Sequence, residues 1–290
     1  MNKSVQRVAA IHDLSGFGRV SLTMVIPVLS TMGIQVCPMP TAVLSSHSAY
    51  KDFYFVDLTE HLEGMISHWE KIGTNFDAIY SGFLGSPAQI SIVEKFIHKF
   101  KKSDTLVVID PVLGDNGKFY KTFNENMAIE MRRLVTKADV ITPNITEAAI
   151  LLNEEYKTDF SNSEIKDWLL RLTELGPDTV IITSIPESPL GKRTSVAAYS
   201  KNSGRFWKVS CEYIPAFYPG TGDAFTSVIT GALLQGDSLP VAIDRAVTFI
   251  SLAIRASFGN NNDPMEGINL ERVLGSLNAP VQLGSYELLS

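Results

Sequence analysis

Short continuous apolar runs alternate along this chain with stretches whose apolar residues recur at helical spacing. Val8-Ala9-Ala10-Ile11 is the first such run; it ends in polar His12-Asp13, and Ser15-Gly16-Phe17-Gly18 then turns the chain toward a helix starting near Ser21. Leu22, Val25, Ile26, Leu29 and Met32 share one face of that helix, and Pro27 inside it predicts a kink or a late start. Ile34 to Leu44 reads as a second strand, and Pro38 and Pro40 suit it to an edge or irregular position. Leu58 to Ile72 predicts a helix with Leu62, Met65, Ile66 and Trp69 on one face. Ala78-Ile79-Tyr80 predicts a strand, and Ser86-Pro87 opens a helix through Phe100 with serine as cap and proline at the first helical position.

The same grammar continues. Leu106-Val107-Val108-Ile109 ends in Asp110-Pro111, Val140-Ile141-Thr142 ends in Pro143-Asn144, and Val180-Ile181-Ile182 ends in Thr183-Ser184. β-branched runs alternating with amphipathic helices predict a mostly parallel sheet covered on both faces, a three-layer α/β/α fold. In such sheets ligands bind beyond the carboxyl ends of the strands, where these polar residues fall. The pattern then changes. Thr194 to Tyr199 and Arg205 to Ser210 flank the turn-prone Lys201-Asn202-Ser203-Gly204 and predict a short antiparallel hairpin. Two helices follow, Ala224 to Gln235 and Val241 to Ser257. With no internal repeat or linker in 290 residues, one domain over 1–290 is expected.

Composition narrows the class of partner. With 45% apolar and 19% charged residues and a net charge of -6, the chain is an ordinary globular sequence without a basic tract for nucleic acid. It contains no apolar run of membrane-spanning length and no signal-peptide core, so a cytoplasmic protein acting on a small metabolite or nucleotide is expected. Cys37 and Cys211 are far apart and read as buried thiols. His61 and His68 are seven apart on a helix without a third ligand and read as structural, and Trp69, Trp168 and Trp207 as packing.

The chemistry centres on Pro219-Gly220-Thr221-Gly222-Asp223-Ala224-Phe225, a glycine turn running into an apolar helix. Backbone N–H groups crowded at a helix start attract an anion, yet a carboxylate is inserted among them. Taken alone, Asp223 is as good a helix cap as a base. A Walker-type phosphate loop is absent, since Gly117-Lys118 is followed by Phe119 and Gly191-Lys192 by Arg193. Asp110 and Asp115 lie around one strand-end turn, and Thr142, Asn144 and Glu147 at the next. Hard oxygen ligands of this kind suit magnesium. Asn144 and Glu147 equally have the three-residue spacing of a helix-capping pair, and both readings can hold together.

Four ordered segments carry a resemblance over nearly the whole chain: Ser45-Ser46-His47-Ser48-Ala49-Tyr50, Ser81-Gly82-Phe83-Leu84-Gly85-Ser86, Asp110-Pro111-Val112-Leu113-Gly114-Asp115 and Thr142-Pro143-Asn144-Ile145-Thr146-Glu147. With the glycine turn, they resemble the pyridoxal and pyridoxamine kinases of the ribokinase-like superfamily. The resemblance implies transfer of the γ-phosphoryl group of ATP to the 5′-hydroxymethyl of a vitamin B6 vitamer by a homodimer. It implies Asp223 as base, Gly220, Thr221 and Gly222 as an anion hole, and Thr183, Ser184 and Tyr120 as ATP contacts. Asp110 and Thr142 fall where the family places a monovalent cation such as potassium, and Asp115 and Glu147 where it organises magnesium. Ser48 stands at the family's substrate-contacting threonine, and Phe83 where tyrosine is common. The first strand departs from the family's Ser-His pair and ends in His12-Asp13, which places Asp13 to meet a ring nitrogen or a cationic amine. A hydroxymethylpyrimidine kinase of the same fold and a non-catalytic binding protein are the rival readings.

Overall fold

The fold was obtained as a computed structural model, and it describes residues 5–121, 123–187, 193–259, 263–279 and 286–289. Gly191 and Lys192 lie outside the described residues. In chain order, β1 (Arg7–Ser15), α1 (Leu22–Thr31), β2 (Gln35–Leu44) and β3 (Phe55–Asp57) come first. Next are α2 (Thr59–Lys71), β4 (Ala78–Ser81), α3 (Pro87–Phe100), β5 (Leu106–Ile109), and a two-residue-per-strand hairpin of β6 (Gly114–Asp115) and β7 (Lys118–Phe119). Then follow α4 (Glu125–Val135), β8 (Val140–Ile141), α5 (Ile145–Leu152), α6 (Asn162–Glu174), β9 (Thr179–Pro186), β10 (Arg193–Ser200) and β11 (Arg205–Glu212). The chain ends with α7 (Thr221–Gln235), α8 (Leu239–Ser257), the single turn α9 (Leu270–Val273) and β12 (Tyr286–Leu288).

Among the described residues ten strands form one sheet in the order β12-β11-β10-β9-β8-β5-β4-β1-β2-β3. The six strands from β9 to β2 in that order run parallel; β3, β10, β11 and β12 are antiparallel. The predicted mostly parallel sheet and the hairpin before the glycine turn are both present. Side chains alternate across it as strand geometry requires. Ala9, Ile11, Ile79, Val107, Ile109 and Ile141 face one apolar layer, built with α2 to α6. Val8, Ala10, Ala78, Tyr80, Val108 and Val140 face the other, built with α1, α7 and α8. Continuous apolar runs were needed because both faces of each central strand are covered.

Helix boundaries follow local chemistry. Ser86 accepts the Gln89 N–H with Pro87 at the first helical position of α3, Ser161 and Glu164 form a capping box on α6, and α7 stops at Gly236 with φ 92°. Pro27 lies within α1, which starts at Leu22 all the same. The edge position expected of β2 is nearly met: β3 pairs with it only from Ala42 to Leu44, leaving the proline-bearing half open on that side.

Two strand ends differ from the pattern. β1 runs on through His12 and Asp13 to Ser15, and β9 runs on through Thr183 and Ser184 to Pro186. In both, the sheet register shifts at the polar residues, between His12 and Leu14 against β2 and between Ser195 and Ala197 against β9. Thr183 and Ser184 are themselves a bulge in β9, whereas at β1 the extra residue lies in the partner β2, opposite Asp13; in both places pairing is disturbed without ending the strand.

Phe96 has no exposure and packs with Trp69, Phe76 and Phe100 between α2, α3 and the sheet. Phe96→Ala is expected to lower the unfolding free energy by about 3 to 5 kcal/mol, read from the urea midpoint at unchanged slope.

Candidate active site

Strand order reverses between β1 and β4: from β1 the chain steps outward to β2, whereas β4, β5, β8 and β9 build in the other direction. The crevice beyond the carboxyl ends of these strands is where a doubly wound sheet admits a ligand. Asp13, Ser48, Phe83, Asp110, Asp115, Tyr120, Thr142, Asn144, Glu147, Thr183, Ser184 and Gly220 to Asp223 all line one cleft there. Every residue expected from the sequence to act in catalysis or binding is thus brought to it.

The glycine turn forms one wall. Gly220 sits immediately before α7 with φ 85°, and a Cβ there would collide with the Arg19 carbonyl oxygen, so only glycine fits. The N–H groups of the first turn of α7 have no acceptor within the helix. Asp223 is not the cap of this helix: Gly220 is the cap residue and no side chain caps α7. The Asp223 carboxylate instead turns back, and its Oδ2 accepts the Ser21 N–H at 2.8 Å. Oδ1 lies 3.9 Å from Nδ1 of His12, beyond hydrogen-bond reach, with the Asp223 side chain 14% exposed. Burial raises the Asp223 pKa to about 7, against the lowering effect of the Ser21 N–H. A carboxylate poised there can accept a proton near neutral pH.

His12 is wholly buried, and neither ring nitrogen has a hydrogen-bond partner among the described residues. Burial lowers its pKa to about 3, so the ring is neutral. It stands edge-on to Tyr80 at 4.3 Å between centroids and fills the space a Cβ on Gly82 would take.

The acidic wall comes from the ends of β5 and β8. Asp110 is buried and its pKa is pushed up by burial and by the Asp223 charge; that of Glu147 rises through burial and the Asp110 charge. Thr226 of α7 links two predicted cation contacts, since its hydroxyl lies 2.9 Å from the Thr142 hydroxyl and donates to Asp110 at 3.4 Å. Asn144 and Glu147 form the capping box of α5, and Glu147 accepts the N–H groups of Leu113 and Asn144 at 3.1 and 2.9 Å. Asp115 sits in the β6–β7 hairpin, its pKa raised by burial. Among the described residues no three carboxylate, imidazole or thiolate groups converge as a closed metal cage. The donor set is instead that of a cation held by one or two carboxylates and completed by water and phosphate, and such an ion would relieve the repulsion between Asp110 and Glu147.

The remaining side chains line the same cleft. Ser184 is exposed in a left-handed conformation, φ 59°, at the β9 bulge beside half-buried Thr183. Tyr120 is 41% exposed, and burial of its hydroxyl with the nearby carboxylates raises its pKa. Phe83 stacks on Phe123 at 5.4 Å. Ser48 is exposed next to buried His47, whose Nε2 lies 2.6 Å from the Met265 carbonyl oxygen. Asp13 is 4% exposed, and its two oxygens accept the hydroxyls of Ser15 and Ser21. Sequence reasoning missed Ser21, Thr226 and His47 as neighbours of the site. Apart from Asp13, eight residues before Ser21, their partners lie 84 to 218 residues away, and the one available signal was their place beside the glycine loop, the glycine turn and Ser48.

A carboxylate near its neutral point beside a helix N-terminus, at the switch point of a mostly parallel sheet, is an arrangement suited to a phosphotransferase that uses an alcohol acceptor. Residues 63–266 match the family model described as phosphomethylpyrimidine kinase, and the chain belongs to that family, alongside the pyridoxal kinases of the ribokinase-like superfamily. A solved Bacteroides thetaiotaomicron protein, provisionally described as a phosphomethylpyrimidine kinase, is 57% identical in a form with pyridoxal. It superposes with TM-score 0.96, covering 98% of this chain and 100% of that one. Pyridoxal kinase from Lactobacillus plantarum is 30% identical with TM-score 0.86, covering 94% of this chain and 97% of that one. Among curated relatives, the pyridoxal kinase of Arabidopsis thaliana is 26% identical over 86% of this chain and 81% of its own length.

A carboxyl whose folded pKa is raised binds more protons folded than unfolded between its ordinary value, 3.8, and about 7. Stability therefore falls as pH rises through that interval, and the ionised group is destabilising above it. Asp223→Asn is expected to raise the thermal midpoint at pH 8 by about 2 to 4 °C, the shift of about 1 kcal/mol, and to change it far less at pH 5.

Proposed function

We propose that this protein transfers the γ-phosphoryl group of ATP to the 5′-hydroxymethyl of a vitamin B6 vitamer, pyridoxal, pyridoxamine or pyridoxine. The observation that carries the reading is Asp223, a half-buried carboxylate with a pKa raised to about 7 and an Oδ1 without a hydrogen bond among the described residues, set within the first turn of α7 beside helix N–H groups that lack an acceptor within the helix. The name of the Arabidopsis relative and the pyridoxal in the Bacteroides structure support the B6 substrate.

In this reading Asp223 takes the proton of the acceptor hydroxyl as its oxygen bonds to the γ-phosphorus, and the bond to the β-phosphate oxygen breaks to release ADP. The N–H groups of Gly220, Thr221 and Gly222 stabilise the charge on the moving phosphoryl oxygens. Asp110, Asp115, Asn144 and Glu147 would hold magnesium through water, and Thr142 with Asp110 a potassium ion; these cations supply charge neutralisation at the phosphates. Thr183, Ser184 and Tyr120 contact ATP, and Ser48 and Phe83 the vitamer side; the Asp13 oxygens, expected at the ring, are taken by the Ser15 and Ser21 hydroxyls. The protein works as a cytoplasmic homodimer, each chain one catalytic unit over residues 1–290. No described helix is long and apolar enough to cross a membrane.

The family description and the provisional name of the Bacteroides protein favour one second reading, phosphorylation of a hydroxymethylpyrimidine. A coupled assay measuring ADP release with the three vitamers and the pyrimidine in parallel is expected to give turnover on a vitamer, and activity on the pyrimidine alone reverses the assignment. Asp223→Ala is expected to lower kcat by about 10²-fold or more with ATP binding largely kept; an unchanged kcat rules out the base, and absence of turnover in the wild type leaves a binding protein.

A further inference from the structure

The residue that holds Asp223 is itself held in an unfavourable conformation. Ser21 has φ 50° and ψ -131°, the first central position of a tight turn closed by the Thr23 N–H to the Val20 carbonyl at 3.1 Å. Glycine enters this region freely, whereas a residue with a side chain is strained there. Serine occupies it nonetheless and is tied at both ends. Its N–H donates to Asp223 Oδ2 at 2.8 Å, and its hydroxyl donates to Asp13 Oδ1 at 2.5 Å. Asp13 is fixed in turn, because its other oxygen accepts the Ser15 hydroxyl at 2.9 Å. Ser21 and Asp13 are 6% and 4% exposed, so water competes little for these bonds.

We infer that Asp13 and Ser21 are positioning residues for the base: Asp13 secures the Ser21 hydroxyl, and the turn so secured aims one N–H at Asp223, leaving Oδ1 to face the acceptor. The inference rests on the reading of Asp223 as base, and it moves Asp13 from ring contact to brace. Asp13 lies opposite a bulge in β2, where Thr41 and Ala42 together face it, and its side chain reaches the turn before α1. His12 closes the other side of Asp223, while Tyr80 donates its hydroxyl to the Asp223 carbonyl at 3.4 Å; Asp110 is a further titratable neighbour. Fixing a reacting group within a narrow range of orientations acts on turnover more than on ground-state affinity.

The test compares kcat and KM for pyridoxal and ATP, with thermal unfolding, in wild type, Ser21→Ala, Ser21→Gly, Asp13→Asn and the double variant Asp13→Asn/Ser21→Gly. Ser21→Ala and Asp13→Asn are each expected to lower kcat about 10-fold, the worth of one hydrogen bond, with both KM values within about 2-fold. Ser21→Gly, which takes the turn without a tether, is expected to recover most of the loss seen in Ser21→Ala. In the glycine background Asp13→Asn should then lower kcat less than about 2-fold. An equal loss from Asp13→Asn in both backgrounds overturns the brace, as does a raised KM for pyridoxal at unchanged kcat, which would make Asp13 a substrate contact. Asp223→Ala separates the two levels: if it keeps kcat, the base falls and the brace with it; if it lowers kcat while the Ser21 and Asp13 variants do not, only the brace falls.

Discussion

A carboxylate carried into a poorly solvated cleft at the start of a helix is the interaction on which the rest of this site depends. Left to itself, a buried acid takes up a proton, and one beside other acids does so more readily. Asp223 meets both pressures, from burial and from Asp13, and one backbone N–H from Ser21 opposes them. The balance leaves a group that is neither permanently charged nor permanently neutral at physiological pH. That is the condition for a base that must accept a proton in one step and release it afterwards.

The sheet makes this arrangement possible. Strands covered on both faces can end abruptly at one edge, so β5 and β8 deliver Asp110 and Thr142 to the same crevice that receives the glycine turn. The two layers of core hold α7 against α1 and β4, which fixes the Asp223 backbone within reach of Tyr80 and Ser21. β9 bulges at Thr183 and Ser184, β2 bulges opposite Asp13, and all three side chains line the cleft. The acids that repel one another are also those a cation between protein and phosphate would join. The same repulsion that weakens the empty fold therefore favours the loaded one.

Much of this was legible in the chain. The alternation of runs located β4, β5, β8, α2, α3, α7 and α8, because burial on both faces leaves a run with no polar interruption and burial on one face leaves a helical stripe. Ser86-Pro87 and Asn144 with Glu147 announced their caps through local bonds spanning three residues or fewer. Edge strands β3 and β12 were not legible: Phe55, Val56 and Asp57 are all exposed, as are Glu287 and Leu288, so neither segment carries a pattern of burial. The β6–β7 hairpin escaped notice for its length alone.

The sequence by itself determined the class of fold, the glycine turn and the set of polar residues at the strand ends, since each depends on composition within a few residues of chain. Whether Asp223 caps its helix or serves as a base could not be read there, because both need an acid at the same position. Tertiary structure removed the capping role, by placing Gly220 at the cap and the N–H of Ser21, 202 residues away, against one oxygen of Asp223. The same holds for His12 and Asp13, which look like the end of a strand and are a buried ring and a brace within it. Contacts between segments remote in the chain depend on how the sheet is wound, and no local pattern encodes them.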